Sequence, residues 1–118
     1  MRQSQALLAL GALAQESRLR IVRRLVRAGP AGLPAGALAE GVGVSPSNLS
    51  FHLKELERAG LVASRRAARS IIYAADYGAL RGLLRFLMED CCAGRAEICA
   101  PPACAPARSA KRTPAYSR

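Results

Sequence analysis

A chain of 118 residues is one domain's worth of sequence and leaves no room for two independent hydrophobic cores, which excludes a multidomain enzyme. Eighteen Lys and Arg against eight Asp and Glu give a formal charge of +10, so a polyanion is the first partner to consider, although a general enrichment in arginine accounts for part of that charge. Hydrophobic residues make up 51% and aromatics 4%, with no Trp, so the core must be built of Leu, Val, Ile and Ala, which favours helices.

The longest apolar stretch, Ala6 to Ala14, is far shorter than the roughly 20 residues of a membrane span. Arg2 and the run ALLALGALA have a superficial likeness to a secretory leader. However, Leu7, Leu10 and Leu13 recur every three residues and lead into a second amphipathic segment, which reads as a packed helix. A cytoplasmic protein is then expected, and in a reducing compartment four cysteines point to metal or redox chemistry rather than to disulfides.

Ser17 is expected to cap the next helix, with Leu19, Ile21, Val22, Leu25 and Val26 as its apolar stripe and Gly29-Pro30 as its stop. Arg20, Arg23, Arg24 and Arg27 fall mostly on the other side, as a solvated face or a remote phosphate contact. A short helix from about Pro34 to Val42 follows, with Leu38 as its main core residue. After the turn GVSP, Ser45 caps a third helix that has Pro46 in its first position, runs to Arg58 and is stopped by Gly60. Helix, tight turn, helix is the DNA-reading unit.

At about 100° per residue, Leu49, Leu53 and Leu56 line one side of that third helix, and Ser47, Ser50, Phe51, Lys54 and Arg58 point the opposite way. Small hydroxyls near the N-terminal end allow close approach to base edges, and Asn48 offers both a donor and an acceptor. His52, the one histidine, sits at the edge of the apolar stripe, and two roles stay open: a half-buried, hydrogen-bonded group or a DNA contact.

The segment LVASRRAARSIIYAA reads as two strands, Leu61 to Arg65 and Arg69 to Ala74, around a turn carrying Arg65, Arg66 and Arg69. Such a basic hairpin is a wing whose arginines lie along a phosphate backbone or enter the minor groove. Ala67-Ala68 is poor turn chemistry for its tip. Asp76 then caps a last helix with a wide apolar face of Leu80, Leu83, Leu84, Leu87 and Met88. A monomer of this size has little to bury that face against. A homodimer is therefore expected, with Leu7 and Leu10 of the first helix and Leu80, Leu83, Leu84 and Leu87 of the last packed across a two-fold axis.

The expected architecture is mainly α with a small β-hairpin: a dimeric winged helix-turn-helix domain over residues 1–90. Residues 91–118, rich in Pro and holding all four cysteines, form an extension expected to be disordered beyond about residue 105.

The stretch ALAQESRLRIVRRLV followed by GVSPSNLSFHLKELERAGLV and a basic wing resembles the ArsR/SmtB family of metal- and metalloid-responsive winged-helix repressors, over about residues 6 to 90. The resemblance implies a cytoplasmic homodimer that binds an imperfect inverted repeat of double-stranded operator DNA and dissociates when a metal ion or metalloid binds. It implies base contacts from Ser47, Asn48 and Ser50, with His52 nearby. Two departures matter. Where many arsenic responders carry cysteines in the helix before the recognition helix, this chain reads GLPAGAL, and no histidine occurs on the last helix for the family's zinc-type site.

What remains is CCAGRAEICAPPAC, with Cys91, Cys92, Cys99 and Cys104. Thiolates are soft ligands. Trivalent arsenic and antimony form three bonds to sulfur, so an adjacent pair plus one more thiol meets their stoichiometry. Similarity to family members with a site in a C-terminal extension favours Cys99 over Cys104 as the third ligand. A four-thiolate Zn²⁺ or Cd²⁺ site and oxidation to disulfides stand as alternatives, as does a metalloid carrier without a promoter target. An enzyme is disfavoured, because a cysteine nucleophile needs a base and His52 is distant in sequence from every cysteine.

Overall fold

The structure, a computed structural model, describes residues 1–89. The elements run α1 (Gln3–Leu13), α2 (Glu16–Ala28), β1 (Leu33–Pro34), α3 (Ala35–Val42), α4 (Pro46–Arg58), β2 (Val62–Ala67), β3 (Ser70–Ala75) and α5 (Tyr77–Met88). The proposed cysteine extension, with Cys91, Cys92, Cys99 and Cys104, lies outside the described residues.

The three-residue apolar repeat of α1 forms a helix, but the alanines face inward rather than Leu7, Leu8 and Leu10, while Leu13 packs against the core in part. Ala6, Ala9 and Ala12 are buried, whereas Leu7 is 62% and Leu8 52% exposed. Small side chains let α1 lie close against α2 and α4, which is why the core takes that face.

In α2 the cap is Gln15, whose side-chain oxygen accepts from the Arg18 backbone N–H at 2.9 Å, and Ser17 sits inside the first turn instead. The buried stripe is Ile21, Val22 and Leu25; Leu19 and Val26 remain 46% and 40% exposed. Both lie about 100° from the centre of that stripe, outside the arc one neighbour can cover. Arg20, Arg23, Arg24 and Arg27 occupy the outer face. Their spacing creates like-charge pairs at i,i+3 and i,i+4, each costing an isolated helix about 0.2–0.5 kcal/mol.

Helix α3 begins after Pro34, which is the capping residue rather than part of the first turn, and buries Leu38 completely. Leu33 and Pro34 also pair with Tyr73 and Ile72, so β1 makes a third, edge strand in a sheet of order β1-β3-β2 with antiparallel pairing. Gly32 precedes it at φ +76°, where a Cβ would fall on the Tyr73 carbonyl; only glycine permits this approach.

The wing strands are shifted by one to two residues toward the C-terminus of the expected ones, and β2 is one residue longer. Val62 pairs with Ala75 and Ala67 with Ser70, leaving the two-residue tip Ala68-Arg69. Ala68 is held at φ +56°. Such a connection wants glycine in that first position. Ala68→Gly is expected to raise the thermal midpoint by the equivalent of under about 1 kcal/mol, because relief of left-handed strain outweighs the added chain entropy. Ala68→Val, β-branched at the same φ, should lower it by about 1–2 kcal/mol. Thermal melts of the two variants check both signs.

Helix α5 starts at the Asp76 cap, whose carboxylate accepts from the Ala79 N–H at 3.0 Å. The Tyr77 hydroxyl donates to the Val26 carbonyl at 2.9 Å, tying α5 to the end of α2. Leu83 is only 5% exposed and belongs to the chain's own core, so it is not free to meet a second copy; Leu80 also packs against that core in part. Leu84 is half-buried and Leu87 is 51% exposed. No helix among the described residues is long and apolar enough to cross a membrane.

Candidate nucleic-acid interface

The third helix of the sequence reading is α4, and its local chemistry sets its direction. Ser45 Oγ accepts from the Asn48 N–H at 3.3 Å, Pro46 occupies the first turn, and the chain leaves the helix at Ala59. Leu49, Leu53 and Leu56 are 1%, 2% and 0% exposed, so one face is anchored and the opposite face is presented. Ser47, Asn48, Ser50 and Lys54 all lie on the exposed side. Unpaired hydroxyl, amide and ammonium groups on a capped helix end are the donors and acceptors that base edges and phosphates match.

Phe51 shares this exposed face and is 55% exposed. The sequence placed it there by angle but assigned it no role. A phenyl ring on a reading face can meet a thymine methyl group. Arg18 of α2 lies over the ring, its guanidinium carbon 5.6 Å from the centroid.

His52 is half-buried and faces α2. Its Nδ1 accepts from Arg18 Nε at 3.2 Å, and its ring meets Phe51 edge-on with centroids 5.6 Å apart. Of its two possible roles the geometry assigns the hydrogen-bonded one; the ring braces α4 against α2 and is not on the presented face. Burial, and then the Arg18 charge, push its pKa below the ordinary histidine range. The unfolded chain therefore binds the extra proton more readily than the folded one. Stability should be complete above about pH 6.5 and fall as pH drops through the lowered folded value. Thermal midpoints against pH should slope less for His52→Gln than for the natural chain across that window.

The hairpin stands beside α4. Ser64 Oγ donates to Glu57 Oε2 at 2.8 Å, and Arg66 shares Ser64's face by alternation along β2. Burial and the Glu57 carboxylate raise the pKa of Tyr73, across from Ser64 on β3. Arg65 points the other way, and its Nη2 donates to the Ala31 carbonyl at 2.8 Å. Of the three wing arginines, Arg65 is thus engaged within the chain, while Arg66 and Arg69 are exposed and make no hydrogen bond to the described residues. Arg58 of α4 pairs with Glu55 at 3.3 Å.

Among the described residues no three His, Cys, Asp or Glu side chains cluster as metal ligands would. All four cysteines expected to bind metal lie outside those residues.

A family profile described as a helix-turn-helix domain matches residues 13–65. The chain is similar to the HTH-type transcriptional regulator NmtR of Mycobacterium tuberculosis, with 48% identity over 64 residues that cover 54% of this chain and 51% of that protein. Among solved structures it is similar to an ArsR-like transcriptional regulator from Rhodococcus sp. RHA1, with a TM-score of 0.67 and 28% identity over 86% of this chain and 93% of that one. It is also similar to a possible transcriptional regulator for arsenical resistance, with a TM-score of 0.59 and 32% identity over 70% of this chain and 81% of that one. The chain spans 51% to 63% of the length of the curated relatives it matches.

Proposed function

The chain belongs to the ArsR/SmtB family of winged-helix transcriptional regulators, and on that premise we propose that it is a homodimeric repressor released from operator DNA by trivalent arsenic or antimony. The observation that carries the DNA half is the exposed face of α4. Ser47, Asn48, Ser50 and Lys54 stand clear of the core on a capped helix, with Arg66 and Arg69 of the wing available for phosphates. Two copies hold two such helices about one turn of DNA apart, near 34 Å, to meet two half-sites. The exposed leucines of α1 and α5 supply the apolar surface that a second copy covers.

The signal half rests on the donor chemistry of the sequence. Cys91 and Cys92 are adjacent and come three and four residues after Met88, the last residue of α5, and Cys99 supplies a third thiolate, with Cys104 as its substitute. Soft thiolates select thiophilic ions over hard ones, and three sulfurs satisfy the valence of trivalent arsenic. The similar protein described as a possible regulator for arsenical resistance favours the same ligand class. The ligand acts only through different affinities for the DNA-fitting and non-fitting dimers, an ordinary coupling being about 1–3 kcal/mol.

Arsenite titrated into the protein bound to its own promoter fragment is expected to release the DNA, and Cys92→Ser should abolish that release. Release that survives loss of the thiol overturns the site. X-ray absorption of the loaded protein should show three sulfurs around arsenic; a four-sulfur shell around zinc or cadmium, or release by oxidant alone, would replace the metalloid with a divalent ion or a redox signal.

A further inference from the structure

The outer face of α2 takes no part in the reading described above. Arg20, Arg23, Arg24 and Arg27 follow each other at i, i+3, i+4 and i+7, all exposed, over a rise of about 10 Å. With Gly41 and Val42 they line a shallow concavity between α2 and the end of α3. The Arg24 guanidinium lies over Gly41 and close to the α3 backbone.

Three other arginines are engaged within the chain. Arg18 donates to His52, Arg58 pairs with Glu55, and Arg65 donates to Ala31. The four of α2 have no such acceptor among the described residues, and neither Glu16 nor Glu40 forms an ion pair with them. A self-repelling row of this kind is relieved by an anionic partner that presents its charges in a row as well. Guanidinium forks match phosphate oxygens two at a time, and the row holds no aromatic side chain of the sort that anchors a protein partner.

We infer that this face is a second phosphate-binding surface, engaging duplex DNA that runs past the half-sites read by α4 and the wing. The inference rests on the DNA-binding reading above. It gives the α2 arginines a share in affinity and in salt dependence but none in sequence choice.

The natural chain and Arg23→Ala/Arg27→Ala should be compared by fluorescence anisotropy over a potassium chloride series. The probes are two duplexes from the chain's own promoter: one of about 20 base pairs, enough for two half-sites, and one extended to roughly twice that. Alanine preserves the helix, and Arg24 is spared because it lies close to the α3 backbone. On the long duplex the slope of log K against log salt should become shallower by about 0.9 per lost contact, roughly 1.8 in all, with affinity at low salt falling about tenfold or more. On the short duplex both quantities should stay unchanged.

Equal slopes for the two proteins on the long duplex overturn the second surface while leaving the reading helix intact. So does an equal change on both duplexes, which would put these arginines inside the half-site. Failure of the natural chain to bind either duplex overturns this inference and the DNA-binding reading together.

Discussion

A chain carrying Leu7→Glu together with Leu87→Glu is expected to sediment as a monomer and to lose operator affinity by about two orders of magnitude or more. Both leucines are already mostly in water, at 62% and 51% exposed, so the charge costs the isolated fold little. The loss comes from assembly. A dimer holds its second reading helix at an effective concentration that multiplies affinity by roughly 10²–10⁴, and a monomer forfeits that factor. Mass by sedimentation and affinity by anisotropy, taken on one preparation, check the pair of effects; a variant that remains dimeric removes α1 and α5 from the interface. Leu83→Glu makes the contrast. At 5% exposure it puts a charge into the chain's own core, so it should unfold the protein instead of separating two folded copies.

Leu56→Ala should cost about 2–5 kcal/mol, a large part of the 5–15 kcal/mol typical of a whole domain. Leu56 is 0% exposed and lies on the anchored face of α4, so its loss leaves a void under the helix that presents Ser47, Asn48 and Ser50. Leu19→Ala, the same chemical change at a 46% exposed site, should cost less than about 1 kcal/mol. Denaturant midpoints distinguish the two positions. Equal losses would mean that the buried face of α2 includes Leu19 after all.

The reading half was legible because its determinants are local. Ser45 as cap, Pro46 behind it and leucines at 49, 53 and 56 each act within one or two turns, and the structure has them as the spacing suggests. The hairpin was legible in kind but shifted at its ends, since its tip has no glycine to mark the turn and instead holds Ala68 at positive φ. Strand β1 was not foreseen. Two residues, Leu33 and Pro34, carry no alternation to detect, and only Gly32, needed for close approach to Tyr73, signals the crossing.

On α1 the pattern was read from the wrong residues. Ala6, Ala9 and Ala12 repeat with the same period as the leucines, and hydrophobicity alone favours the larger side chain where packing distance favours the smaller. Which leucines of α5 turn inward depended on α1 lying beside it, a long-range contact that no window of sequence contains. His52 was legible only as a choice between two roles, because the deciding partner, Arg18, is 34 residues away.

Between the last residue of the wing, Ala75, and the first of α5, Tyr77, there is only Asp76, and it is fastened on both sides. Its N–H donates to the Leu61 carbonyl at 2.9 Å, its carboxylate holds the Ala79 N–H, and Tyr77 grips the end of α2. These bonds tie the first turn of α5 to the end of the wing, to Leu61 just after α4 and to the end of α2, so the start of α5, the hairpin and the exit of α4 meet at a single residue.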